Sequence, residues 1–141
     1  MEIVRCKEED YGTLAGIWER SVMGTHDFLR EEDRNAIKEA LIPDYFPNVE
    51  LYAVVDNGRY CGFIGLCGEM IEMLFIDDEC RGRGYGSALV AFAKYRGARK
   101  VDVNEQNFAA LDFYRTKGFC VTARDETDEA GMDYPILHMS L

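Results

Sequence analysis

The sequence predicts an α/β protein, a mixed sheet with helices on both faces, and three observations carry that prediction. Strand-like runs with a period of about two interleave with segments whose apolar residues recur about every 3.6 positions. Asn57-Gly58 separates two apolar strand-like runs, a strong hairpin signal because a type I′ turn needs positive φ at both central residues. Residues 70–119 read as strand, glycine loop, helix, strand and helix, a module that suits an anionic ligand.

In order, residues 2–7 predict a short strand and residues 8–22 a helix, with Tyr11, Leu14, Ala15, Trp18 and Val22 on one face and acids in its first turn. Residues 25–29 are a connection. A second helix covers residues 31–41 and ends there, since the residue before Pro43 avoids the helical region. Strands over 50–56 and 59–67 flank the Asn57-Gly58 turn, and a tight turn at Gly68-Glu69 leads into a third strand over 71–76. The helix after the glycine loop carries Leu89, Phe92, Ala93 and Arg96 at helical spacing and stops at Gly97. A strand over 100–103 and a helix opened by Asn107 follow. Residues 119–124 form a strand, 125–133 an acidic loop, and 134–141 a closing strand in which Leu137, Met139 and Leu141 share one face. The order is β-α-α-β-β-β-α-β-α-β-β, without repeats or linkers, so residues 1–141 are expected to form a single domain.

Composition excludes several function classes. A net charge of −10 argues against general nucleic-acid binding, which needs a basic surface. No apolar run approaches the roughly 20 residues that span a bilayer, and the N-terminus has no signal-peptide core, so a cytoplasmic location is expected. Five cysteines without a C-x-x-C pair, and two distant histidines, make a metal site unexpected; reduced, mostly buried thiols are the plain reading. Against the acidic background, Arg81, Arg83, Lys94, Arg96, Arg99 and Lys100 form one basic segment beside the glycine loop.

That loop is a device for approaching phosphate. Gly82, Gly84 and Gly86 open a helix, and in regular structure each glycine costs about 0.5–1 kcal/mol of backbone entropy, which favours a ligand-binding reason for them. The dinucleotide pattern G-x-G-x-x-G fails, because Ser87 stands where the third glycine belongs, and the P-loop pattern is absent. A nucleotide-dependent oxidoreductase is therefore disfavoured. Two other patterns are present. Arg81, Gly84 and Gly86 make R-x-x-G-x-G, and Asn107, Ala110, Phe113, Tyr114, Gly118 and Phe119 make N-x-x-A-x-x-F-Y-x-x-x-G-F. Together, in this order and at this separation, they resemble the GNAT superfamily of acyl-CoA-dependent N-acyltransferases. Ile17 to Val22 with Thr25 to Leu29 resembles a small group of bacterial members with poorly defined acceptors.

The resemblance implies a GNAT-like fold with a mostly antiparallel central sheet. It implies an acetyl-CoA-dependent N-acetyltransferase acting on a primary amine of a small molecule or peptide, as monomer or homodimer, without metal. A CoA-binding regulatory module without transferase activity is the alternative. The loop Arg81, Gly82, Arg83, Gly84, Tyr85, Gly86 and Ser87 is expected to hold the pyrophosphate, with Arg81 and Arg83 either touching phosphate or only raising the local potential. Leu74, Phe75 and Ile76 are expected to offer backbone groups to pantetheine, and in the family a strand bulge frees them. Asn107 serves as N-cap and faces the pantetheine arm, while Tyr114, almost two turns later, supports the CoA thiolate. Glu72 or Glu69 is the candidate to accept the amine proton, against the bland reading of exposed strand-edge carboxylates. Glu69, His26 and Phe28 are the expected acceptor contacts. His138 is expected to be structural, and Asn104 to fix its loop beside Asp102.

Overall fold

Apolar residues alternate along the strands, and the sheet they form has a core on each face. The computed structural model describes residues 1–25 and 27–141. Seven strands, β1 (Glu2–Arg5), β2 (Glu50–Asp56), β3 (Arg59–Cys67), β4 (Met70–Ile76), β5 (Lys100–Asn104), β6 (Cys120–Asp125) and β7 (Ile136–Ser140), lie in the order β1-β2-β3-β4-β5-β7-β6. Neighbours are antiparallel except β4 and β5, which are parallel. Among the described residues four helices cover the sheet: α1 (Tyr11–Thr25), α2 (Glu31–Ala40), α3 (Tyr85–Tyr95) and α4 (Phe108–Thr116). Tyr52, Val54 and Ile64 pack with Leu89, Val90 and Ala93 of α3 and Tyr114 of α4. Leu51, Ala53 and Phe63, one position out of step, pack with Leu14, Ile17, Trp18 and Val22 of α1. Such alternation requires a helical layer on each side.

The element order is the expected one, and several boundaries differ, among them β1, which ends at Arg5 rather than residue 7, and the three that follow. α1 runs one turn further than residue 22, to Thr25, after a 3-10 turn over Glu8–Asp10. Pro43 does not end the helical backbone: α2 stops at Ala40 and a wide π turn over Leu41–Tyr45 carries the chain through the proline. The last strand starts at Ile136 rather than 134, because Tyr134 turns inward, its hydroxyl donating to Asp33 Oδ2 at 2.5 Å and accepting from Arg30 N–H at 3.1 Å.

Two irregularities shape the middle of the sheet. Gly65 pairs with Met73 and Leu66 with Ile71, so Glu72 is the extra residue of a β-bulge. The bulge resets the alternation, placing Ile71, Leu74 and Ile76 in one core and Met73 and Phe75 in the other. In addition, β4 pairs with β5 only at Met70↔Lys100 and Ile71↔Val101. Beyond Ile71 the two strands part, and a gap opens within the sheet.

At the far end of β4, Asp77 is 1% exposed and anchors the turn into the glycine loop. It accepts from Arg20 Nη2 at 2.8 Å and Nε at 3.1 Å, from Arg59 at 3.5 Å, and from the Glu79 N–H at 3.3 Å. Burial alone would raise this carboxyl, but the Arg20 and Glu79 hydrogen bonds and the two guanidinium charges outweigh it and hold it below the usual range. The Arg20 side chain is 49% exposed, so solvent moderates the loss when its partner goes. Asp77→Ala should therefore cost about 1–3 kcal/mol in urea unfolding at neutral pH. Because folding depresses the Asp77 value, its stabilisation is present above an ordinary carboxylate value near ~3.9 and is lost as pH falls through the folded value. The difference between wild type and variant should shrink in acid over that window.

Candidate active site

The gap between β4 and β5 is the start of the site. It forms a cleft of about 140 Å³ lined by Leu74 and Phe75 on β4, Val103 and Asn104 on β5, and Asn107, Ala110 and Tyr114 from the helix that crosses it. Its size and apolar walls suit an extended, narrow chain. Unpaired β4 backbone beyond the bulge supplies polar groups for such a chain, in the manner of an added strand.

At one end of β4 lies the glycine loop. Gly84 caps α3 in the left-handed region, with φ +83°, and a side chain there would meet no protein atom within 4 Å. The first bond of the helix runs from Ala88 N–H to Gly84 O at 3.0 Å. The N–H groups of Tyr85, Gly86 and Ser87 therefore lie ahead of the intrahelical ladder, pointing along the positive end of the helix dipole. Gly86 lies inside the first turn, where a Cβ would sit 3.5 Å from the Phe113 ring, so α3 and α4 approach closely there. These features fit a pyrophosphate at the loop and a pantetheine arm in the cleft.

The structure distributes the loop's side chains unequally. Tyr85 points into the core and its hydroxyl donates to Asp56 Oδ2 at 2.6 Å, leaving only its backbone for a ligand. Arg81 folds back, 3.0 Å from Asp78 and 3.5 Å from the Ser21 carbonyl. Arg83 is exposed. Asn107 is the N-cap of α4, accepting from the Ala110 N–H at 3.2 Å, and also lines the cleft. Ile76 packs into the α3–α4 core rather than lining the cleft.

Tyr114 borders the same cleft but is 6% exposed, its ring edge-on to Phe113 and Phe119. Burial raises its phenol above the ordinary value, so it stays neutral and can donate a hydrogen bond.

On the other side of β4 a larger cavity of about 910 Å³ opens, walled by Trp18 and Phe28, the π turn at Tyr45, and the loop carrying Glu126, Asp128 and Glu129. Glu72, Met73, Phe75, Asp102 and Asn104 line both spaces, so the two meet at the bulge. Glu72 is solvent-exposed, yet its carboxyl is raised by desolvation in the cleft, and further by the Glu129 and Asp102 charges. Glu69 lines neither space; its carbonyl accepts from the Arg99 and Lys100 N–H groups at the turn before β4. His26 lies outside the described residues.

Sequence reasoning singled out neither Asp125 nor Met73, and it gave His138 a structural role. His138 stands directly opposite Asp102 in the β5–β7 register, and its ring nitrogens meet Asp102 and Asp125. The alternation of Asp102 between two valines hinted at a shared face, but the pairing of β5 with β7 is not visible in the chain order.

Cys6, Cys61 and Cys80 are buried and Cys67 and Cys120 exposed, all as free thiols. Among the described residues no group of three or more His, Cys, Asp or Glu is arranged to hold a metal, and no helix is long and apolar enough to cross a membrane.

The sequence and fold have counterparts among known proteins. Residues 25–141 match the family described as Acetyltransferase (GNAT) domain. The chain is 41% identical over 141 residues to the peptidyl-lysine N-acetyltransferase YjaB of Salmonella typhimurium, covering 99% of this chain and 97% of that one. The solution structure of apo-form YjaB from Escherichia coli superposes with a TM-score of 0.89 at 38% identity, covering 99% and 95% of the two chains. The PaiA N-acetyltransferase of Thermoplasma acidophilum, solved in complex with coenzyme A, shares the fold with a TM-score of 0.71 at 20% identity, over 99% and 98%. The β4 bulge, the parted strands and the glycine loop thus stand in a chain that belongs to the GNAT family of acetyltransferases.

Proposed function

We propose that this protein moves the acetyl group of acetyl-CoA to the ε-amine of a lysine in a peptide or protein, by direct attack. The observation that carries the proposal is the meeting of two cavities at the β4 bulge. One is narrow and runs between β4, β5 and the start of α4; the other is wide, acidic and aromatic. Among the described residues, no lysine or arginine lines the wide cavity. The apolar wall with Trp18, Phe28 and Phe75 suits a lysine stem, and the carboxylates around the cavity attract its ammonium. The printed activity of the YjaB relatives points to the same acceptor.

Acetyl-CoA supplies the activated acyl group. This chain's residues bind it, take a proton and stabilise charge. Glu72 borders both spaces and accepts the ammonium proton, directly or through water. Backbone groups beyond the bulge, at Leu74 and Phe75, orient the thioester carbonyl. The Tyr114 hydroxyl donates to the sulfur as negative charge develops there. Full proton transfer from tyrosine would be uphill, since a phenol near 10 and a thiol near 8.5 differ by roughly 2 kcal/mol, and burial raises the Tyr114 phenol further. A strong hydrogen bond suffices.

The test is a transfer assay with acetyl-CoA and lysine peptides whose N-termini are blocked, read by mass spectrometry and thiol release. Expected is one acetyl group on the lysine for each thiol released. Thiol release without acetyl-peptide, or no reaction across a broad amine panel, would favour a CoA-binding module instead. Two further results are expected with an active peptide. Its KM should rise with ionic strength, because attraction by the carboxylates is screened over about 8–10 Å at physiological salt. The kcat/KM profile should have an acidic limb above the ordinary glutamate range, since the base must be ionised and Glu72 is held up. Glu72→Gln should abolish that limb.

A further inference from the structure

His138 holds a carboxylate at each ring nitrogen. Nδ1 lies 2.7 Å from Asp102 Oδ1 on β5, and Nε2 lies 2.6 Å from Asp125 Oδ2 on β6. Ionised carboxylates only accept, so with Asp102 and Asp125 both ionised each ring nitrogen donates and the ring is the imidazolium. Asp102 follows Val101, the last β5 residue paired with β4, and it borders both cavities together with Glu72. His138 lines the wide cavity too, and among the described lining residues it alone can carry positive charge.

We infer that His138 is a positioning residue for the transfer: its positive charge, fixed between Asp102 and Asp125, offsets their negative charge beside Glu72 and keeps Glu72 able to take the amine proton. The inference rests on the reading of Glu72 as the proton acceptor. The groups around the ring agree with it. Asp102 faces His138 from β5, with Lys100 two positions away on the same strand face; Asp125 faces it from β6. Across the cavity stand Glu72 of β4 and the loop carboxylates Glu126, Asp128 and Glu129. Asp102 and Glu129 are the charges that already push Glu72 up, behind its desolvation. Without the imidazolium, Asp102 would act on Glu72 unopposed, and more of Glu72 would be protonated at neutral pH. The hydrogen bonds to the two carboxylates, Asp125 first, raise the imidazole above its ordinary value in turn.

The experiment compares pH profiles of kcat/KM on a lysine peptide for wild type, His138→Gln, Asp102→Asn with His138→Gln, and Glu72→Gln, with the His138 ring titrated by NMR in wild type. Expected is an imidazolium at pH 7, and an acidic limb moved up by about half a pH unit or more in His138→Gln. Adding Asp102→Asn should return the limb toward the wild-type position, because the unopposed charge is gone. A bracing role alone predicts no such return. A neutral His138 ring at pH 7, an unmoved limb in His138→Gln, or no return in the double variant overturns the inference. If Glu72→Gln keeps the limb, the reading of Glu72 fails and the inference falls with it. If Glu72→Gln loses the limb while His138→Gln leaves it in place, the inference alone fails.

Discussion

Replacing Gly84 with valine should weaken CoA binding at least about 100-fold while leaving the protein folded. Gly84 sits at φ +83° as the cap of α3, and valine there carries a left-handed strain of about 1–2 kcal/mol. That is a fraction of the ~5–15 kcal/mol that typically holds a domain together, so the fold should survive. The new side chain meets no protein atom within 4 Å. It projects instead into open space at the start of α3, where the proposed pyrophosphate would approach the N–H groups of the first turn. Each charge-assisted hydrogen bond is worth about 1.5–3 kcal/mol, so losing two accounts for the expected factor. Calorimetry with CoA, alongside circular dichroism, reads both parts. A folded variant with unchanged affinity would remove the loop from the binding site.

Tyr114→Phe should lower kcat about 10- to 1000-fold with little change in CoA affinity. The substitution keeps the ring that packs against Phe113 and Phe119, so the core loses no volume. Only the hydroxyl goes, and in the proposed mechanism its contribution is made when charge gathers on sulfur. A drop in CoA affinity with kcat intact would assign Tyr114 to binding; an unaltered kcat on a confirmed acceptor would take it out of the chemistry.

Much of this arrangement is legible in the sequence, for identifiable reasons. Hydrophobic periodicity gave the element order, since strands and helices must each bury one face, and Asn57-Gly58 marked its hairpin through a backbone conformation few residues adopt. The glycines and Asn107 were readable because their roles are backbone roles, set by residue type. The bulge at Glu72 was not. It is a parity change in a run of apolar residues, and Ile71, Met73, Leu74, Phe75 and Ile76 are apolar on either face. Nor was the link from Asp102 through His138 to Asp125, which depends on β7 entering between β5 and β6. The side-chain partners of Arg81 were not legible either: its motif position suggests phosphate contact or a raised local potential, and in the fold it also has Asp78 and the Ser21 carbonyl within reach. Glu69 is expected near the acceptor because it precedes the centre of β4; the turn before β4 leaves it out of the lining of both cavities.

The central claim is that a CoA cleft and a lysine cavity meet at the β4 bulge, so that both substrates are held at once. The most direct test is the affinity of a bisubstrate compound, CoA joined through an acetyl spacer to the lysine Nε of a peptide, measured by calorimetry against CoA alone. Filling both cavities with one molecule should tighten binding at least about 100-fold, as expected when two separately bound substrates are linked in the geometry of transfer. A bisubstrate compound that binds no better than CoA would show that the wide cavity does not receive the acceptor.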